Sequence, residues 1–465
     1  MRFAFSVAAF AVVGMVGSTT SAAARTLQRA LVPPSVRGTF LEAAINPLST
    51  AISTQVANQI PTLSTSAGYT YEWNPELEVL ERSAKTFGPL FTERAVTLGR
   101  NKFNLSASYS YIRFQSFNGK DIDKLMSQAE VARVPETGDI EFFGPSRQAD
   151  LDGNGTQEAL IGDQLRLDLE LETQLWDFSF TYGVLDNLDV NIDIPVLYTY
   201  ARSSLVETLP DPRCLGVSAD CDALFGADIG DHAAVVDGVP GSFTVTDPSA
   251  DRDDKLGIGD IHLRAKYAPL RRPFNMAVLL DLSLPTGKKK NFQGTGDTRL
   301  QTSLVASKDV LDFLEVHTQA GVLFNINTVD RSDARYAVGL TAQATNWMAL
   351  TVDFIGRSEF GPQSRIPNTG RLPAVRTIGG EPTLTQPRSE IDGLDENGDP
   401  VNEDDNFKGR PIFVDIKRND ILDLAVGTRL GVGEFGILFV NFLVPLNQDG
   451  LRADFVPTVG FEMTF

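Results

Sequence analysis

Cysteine is almost absent from this chain of 465 residues, which carries only Cys214 and Cys221. That scarcity excludes a disulfide-dense scaffold and a thiolate-rich metal site. The two thiols stand close enough in sequence to pair as a loop staple if the chain is exported to an oxidising compartment. Positive charge is in deficit, with 41 Lys and Arg against 60 Asp and Glu and a formal net charge of -19. This balance argues against nucleic acid and anionic lipid as partners. Histidine is reduced to His232, His262 and His317. Long apolar runs are missing beyond the first two dozen residues, so nothing there can cross a membrane as a helix.

The one early apolar run has a different meaning. Arg2 gives a positive start, Phe3 to Val16 is apolar, and Ala22-Ala23-Ala24 supplies small residues for cleavage. Residues 1–24 read as a secretory signal peptide, too short to span a bilayer. No cysteine follows the cleavage site, so a lipid anchor is not expected. An exported chain without membrane helices is periplasmic, secreted or a β-barrel.

The last stretch favours the barrel. From Leu451 to Phe465, Ala453, Phe455, Val459, Phe461, Met463 and Phe465 alternate with Arg452, Asp454, Val456, Thr458, Gly460, Glu462 and Thr464. Period two with one apolar face suits a strand with lipid outside and a polar lumen inside. A terminal Phe in that register resembles the last-strand signal read by the barrel-assembly machinery, with Phe465 as the contact.

The same pattern begins at Phe103 and runs to about Phe117. It resumes at Leu165, where Leu165, Leu167, Leu169 and Leu171 oppose Arg166, Asp168, Glu170 and Glu172. Near Trp176 the parity flips, and Trp176, Phe178, Phe180 and Tyr182 become the apolar set, which predicts a β-bulge in one long strand. Leu188 to Tyr198 alternates next, followed by 259–269, 274–286, 297–309, 313–326, 334–345, 347–358, 420–431, 435–446 and 451–465. The total is about twelve, an even number. Turns near 186, 271, 311, 346 and 433 are short and alternate with mostly longer connections, as periplasmic turns and extracellular loops do. A β-sandwich has no reason to sort its loops this way. The expectation is an all-β, closed antiparallel transmembrane barrel over 96–465 in the cell outer membrane, in contact with its lipid.

Residues 25–95 precede that pattern. Asn46-Pro47 reads as a helix start, and Leu48, Ile52, Val56 and Ile60 recur at helical spacing. This N-terminal, partly helical segment is expected as a plug in the lumen or at the periplasmic rim.

Several motifs invite chemistry. Asp150, Asp152 and Asn154, with Gly153 and Gly155, open like a Ca²⁺ loop, and Glu158 takes a ninth-position ligand's place. Ile161 at the twelfth position excludes an EF-hand, leaving a structural Ca²⁺ loop or an ordinary Asp/Asn/Gly turn. No other cofactor is implied. Gly431 to Gly436 fits a dinucleotide fingerprint, but a strand follows it, so it reads as a hairpin turn. Lys288, Lys289 and Lys290 form a basic loop tip. Acidic residues crowd the loops at about 202–257 and 359–419, either as a solvated surface or as sites for divalent cations or partners. His262 and His317 sit on polar strand faces without a serine partner, so catalysis is not expected.

The polar faces together give the expected lumen wall: Asp260, His262, Arg264, Lys266, Asp281, Arg299, Glu315, His317, Arg335, Asp353, Arg357, Asp423, Arg429, Arg452, Asp454 and Glu462. Both signs occur in similar number, which suggests cross-strand ion pairs bracing a narrow, weakly selective interior.

Gly257-Ile258-Gly259-Asp260, Arg264-Ala265-Lys266-Tyr267, Leu284-Pro285-Thr286-Gly287, Gly294-Thr295-Gly296-Asp297 and Ser307-Lys308-Asp309 resemble the outer-membrane barrels known as meta-pathway phenol-degradation proteins or transporters. The resemblance covers some seventy residues and implies passage of small hydrophobic or aromatic solutes. The alternative is a non-transporting surface barrel whose acidic loops bind cations or partners.

Overall fold

A computed structural model describes residues 26–32, most of 49–82, 84–128, 164–209, 251–360 except 272, and 420–465 except 434 and 435, with short strand pieces in the long connections. Cys214, Cys221, Asp150, Asp152 and Asn154 lie outside the described residues, as does the side chain of Glu158. So do the acidic stretches of the two longest loops, apart from short strand pieces.

Twelve antiparallel strands close into one barrel. They are β1 (Phe103–Phe117), β2 (Gln164–Leu185), β3 (Leu188–Leu209), β4 (Asp251–Ile258 and Ile261–Leu270), β5 (Asn275–Leu284), β6 (Arg299–Leu311), β7 (Leu314–Asn325), β8 (Asp333–Thr345), β9 (Met348–Glu359), β10 (Ile421–Val432), β11 (Gly436–Pro445) and β12 (Leu451–Ala453 and Val456–Thr464). Each pairs with its sequence neighbour, and β12 returns to β1 in a register from Asn104↔Thr464 to Ser110↔Thr458. Closure leaves no free sheet edge. The hairpin at Gly433, whose φ of 67° lies in the left-handed region, joins β10 to β11 where the dinucleotide-like glycines stand.

Alternation sorts the side chains by solvent. Phe178, Phe180, Leu263, Leu304, Phe324, Val352, Phe442 and Phe461 are exposed on the outer surface, while polar side chains fill the inner one. Tyr109 and Trp176 meet at 5.5 Å between ring centroids towards the long-loop end. Phe103 packs on Tyr182 at 4.7 Å near the short-turn end. An apolar outer belt with aromatic rings at both margins on a closed barrel is the surface that a bilayer requires. The protein is an outer-membrane β-barrel.

The expected bulge at Trp176 is not there. β2 runs in unbroken register past Trp176 against both β1 and β3, and its shift falls only between Gly183 and Leu185. What changes at Trp176 is the environment. Odd-numbered side chains face inward throughout, from Leu169 and Leu171 to Asp177 and Thr181. Below Trp176 the exterior is lipid and takes Phe178 and Phe180. Above it the exterior is water and takes Glu170 and Glu172, with Arg113 of β1 at 3.5 and 3.7 Å from their carboxylates. β1 shows the same inversion, with Ile112 and Phe114 buried inside and Arg113 outside. The strands project beyond the bilayer, and the apolar face turns inward because it has a core to meet.

That core is completed by the N-terminal segment. Leu27, Leu31, Val32, Ile52 and Val56 are buried against Ile112, Phe114, Phe117, Leu169, Leu171, Ala201 and Leu451. The short helix α1 (Leu27–Ala30) lies at this mouth, where Ser203 donates its hydroxyl to the Ala30 carbonyl at 2.5 Å. Positions 49, 52 and 55–58 are helical, so the spacing of Ile52 and Val56 presents one face to this apolar cluster.

Candidate functional site

The inner wall and residues 58–98 together make the site. Beyond Asn58, where the helical positions end, the described ones form only an antiparallel pairing of Tyr71–Asn74 with Val79–Arg82, and nothing local in the sequence locates the rest. Their partners on the wall lie from 91 to 394 positions away. Glu93 is the first of them. Its carboxylate accepts hydrogen bonds from the Thr65 amide at 2.7 Å, the Thr65 hydroxyl at 2.9 Å and the Ser66 hydroxyl at 2.8 Å. Lys266 of β4 stands 3.6 Å from it and donates to the Ser66 hydroxyl at 3.0 Å.

Arg94 is fully buried and grips Glu315 of β7 with two donors, Nε at 3.0 Å and Nη2 at 2.5 Å. Thr86 donates its hydroxyl to the same carboxylate at 2.5 Å. Close by, Gly88 holds φ at +72°, and a Cβ there would meet the Arg94 guanidinium at 3.0 Å, so only glycine lets the backbone turn this near the cation. Three strands further round, Arg429 of β10 pairs with Glu462 of β12 at 2.6 Å and donates to the Pro89 carbonyl at 2.5 Å. Glu462 in turn accepts the Gly68 amide at 2.7 Å. Asp353 accepts from the Phe91 amide at 3.3 Å, and Asp189 from the Leu98 amide at 2.8 Å. At the short-turn end Lys85 meets Asp312 at 2.7 Å in the open. Their shared hydrogen bond raises the Lys85 pKa and lowers that of Asp312.

Arg264 lies between two carboxylates, Asp281 at 3.0 Å and Asp193 at 3.3 Å, and donates to the Leu63 carbonyl at 3.3 Å. His262 meets Asp281 through Nδ1 at 2.8 Å, and His317 meets the Thr341 hydroxyl through Nε2 at 3.1 Å. Asp260 accepts from the Thr295 amide and hydroxyl, both at 2.8 Å. Arg335 pairs with Asp333 at 2.8 Å, and Arg452 with Asp423. Arg299 and Arg357 both turn to Asn58, donating to its side-chain oxygen and to its carbonyl, each at 3.0 Å.

Asp454 departs from the sequence expectation. It is exposed at the break between the two pieces of β12, where a register shift between Arg452 and Ala453 interrupts the alternation. The acidic and basic residues of 58–98 were not foreseen as lumen groups, and neither was Asp177 of β2.

Between the segment and the wall a cavity of about 180 Å³ remains, lined by Asn58, Phe91, Leu279, Arg335, Ile355 and Arg357 among others. A smaller one of about 50 Å³ lies against Asp260, His262 and Arg299. Among the described residues no group of three or more His, Cys, Asp or Glu could hold a metal ion.

No family model matches the chain, and no curated protein does. Among solved structures, it is similar to an outer-membrane channel from Pseudomonas putida F1, with 11% identity, 80% of this chain and 98% of that one covered, and a TM-score of 0.40. It is also similar to the CymD monoaromatic hydrocarbon channel, with 10% identity, coverage of 79% and 89%, and a TM-score of 0.32. A FadL homologue from Pseudomonas aeruginosa follows with 9% identity, coverage of 78% and 90%, and a TM-score of 0.30.

Proposed function

We propose that the barrel is a non-enzymatic route for small solutes across the outer membrane, closed at rest by the N-terminal segment acting as a plug. The observation that carries this reading is the way residues 58–98 are held. They are bound to the wall by charged and polar side chains, and a cavity is left beside them. A segment serving only to fill the interior could be apolar, as it is at the outer mouth. Charge pairs instead seat it in one position from which it can be released. The resemblance to phenol-degradation barrels supports small hydrophobic or aromatic cargo.

Both lumen histidines are engaged by wall residues, His262 by the Asp281 carboxylate and His317 by the Thr341 hydroxyl, which supports a bracing role in a route. Liposome swelling tests the proposal. Vesicles containing the protein should admit small uncharged solutes faster than empty vesicles, and faster still when the plug contacts are weakened. Vesicles that stay sealed under both conditions would favour a surface barrel acting through its acidic loops.

A further inference from the structure

Inside the barrel, most carboxylates that line the large cavity already have a cation. Glu93 faces Lys266, Asp281 faces Arg264 and His262, and Asp423 faces Arg452. Two cations are left over. Arg299 and Arg357 make no ion pair among the described residues, and the Nε of each is shielded from solvent without a hydrogen-bond partner. Both converge on the one uncharged residue Asn58. Asp260 and Asp333 lie near Arg299, and Asp333, Glu359 and Asp423 near Arg357, none of them as a direct ion pair; a buried guanidinium without a direct partner is costly, and a carboxylate that accepts two of its donors is its best complement.

The rest of the cavity is not anionic in character. Leu279, Ala337, Ile355, Ile421, Leu443 and Phe91 supply apolar walls. Its volume of about 180 Å³ exceeds the roughly 150 Å³ of an apolar cavity that takes up benzene. One aromatic ring fits, and its charged substituent has Arg357 within the same lining and Arg299 on the other side of Asn58.

We propose that this cavity binds a small monocyclic aromatic carboxylate, ring against the apolar wall and carboxylate on Arg357 with Arg299 behind it. The proposal deepens the channel reading and rests on it for the role of the bound molecule. It narrows the cargo from apolar solutes in general to organic acids.

Isothermal titration of the detergent-solubilised full-length barrel tests it, with benzoate, benzamide and acetate as probes. Benzoate should bind saturably. Benzamide has the shape without the charge and acetate the charge without the ring, so each should bind at least tenfold more weakly. Arg357→Gln should weaken benzoate at least tenfold. If that variant does not fold, Ile355→Trp, which fills the cavity while leaving the arginines, should abolish binding instead.

Equal affinity for benzoate and benzamide, or no saturable benzoate binding, overturns the proposal. So does a folded Arg357→Gln protein within twofold of the unmodified one. Swelling with an uncharged sugar reports the channel separately. Flux without benzoate binding defeats only this site, and binding without flux defeats only the channel.

Discussion

Glu315→Gln is the sharpest perturbation of the proposed plug. The substitution keeps the shape of the side chain and removes the charge that Arg94 holds with two donors, in a pair whose side chains are 0% and 5% exposed. Removing one partner of a buried pair costs about 3–5 kcal/mol, because the other charge is left uncompensated. Arg94 keeps its bonds to the Thr86 carbonyl at 3.0 Å and hydroxyl at 2.6 Å, so the lower end applies. About 3 kcal/mol corresponds to roughly a hundredfold shift of the seated-to-released ratio, at 1.4 kcal/mol per tenfold.

The barrel wall itself loses no backbone hydrogen bond, so gel migration with and without boiling should show the folded form intact. Planar-bilayer recordings should then show openings rising by about that factor. Arg94→Gln should do the same from the other side of the pair. Combining the two should cost less than their sum, as expected for residues in contact. If both variants fold and neither changes the conductance, the segment is a structural filling and the gating argument is wrong.

Three further outcomes are expected. Phe178→Arg should destabilise the barrel in a reversible unfolding titration, by more than the roughly 0–1 kcal/mol of an interfacial site and at most the roughly 2–4 kcal/mol of the midplane, whereas Glu170→Arg should be tolerated; similar costs at both sites would contradict the water–lipid boundary drawn at Trp176. Cys214 and Cys221 are expected to be joined, stabilising their loop by roughly 2–3 kcal/mol on the chain-entropy estimate, and two free thiols after alkylation and mass spectrometry would refute this. The unmodified lumen, with both signs present, should conduct weakly and with little ion preference; a large, strongly selective conductance would contradict the narrow, cross-braced interior.

The twelve strands were legible because period two depends on geometry that every strand shares, one face to each solvent. The ladder follows the alternation for most strands, but β3 runs on to Leu209 and β4 begins at Asp251, inside the stretch 202–257 that was expected as a loop, because the strands project past the bilayer into water. What alternation alone cannot report is which solvent lies on which side. At Trp176 the sequence shows a change of parity, and two causes give the same pattern: an inserted residue, or a constant register crossing from lipid into water. The parity change alone suggests the first, and the register shows the second. Asp454 was misplaced for the opposite reason, since there the register does break. Arg94 and Glu93 were invisible for a third reason. Arg94 meets Glu315 across 221 positions, and a segment without secondary structure carries no local mark of the partner that fixes it.

The two halves of the N-terminal segment are held by different forces, and this bears on how the lumen could open. At the outer mouth Leu27, Leu31, Ile52 and Val56 are sealed by apolar contact with the strand extensions, which is non-directional and roughly proportional to buried area. Deeper in, Glu93, Arg94 and the 65–68 turn are held by charge-assisted hydrogen bonds, which depend on position to a few tenths of an ångström. On the plug proposal, a solute or a neighbouring charge that displaces one carboxylate would release the deeper half without exposing the outer apolar seal to water. The inward turn of Leu169 and Leu171 is therefore more than a consequence of strands outgrowing the bilayer. If the segment is the plug proposed above, this gives it an attachment that would persist while the charged seat is exchanged, so that release within the lumen would not become loss of the plug.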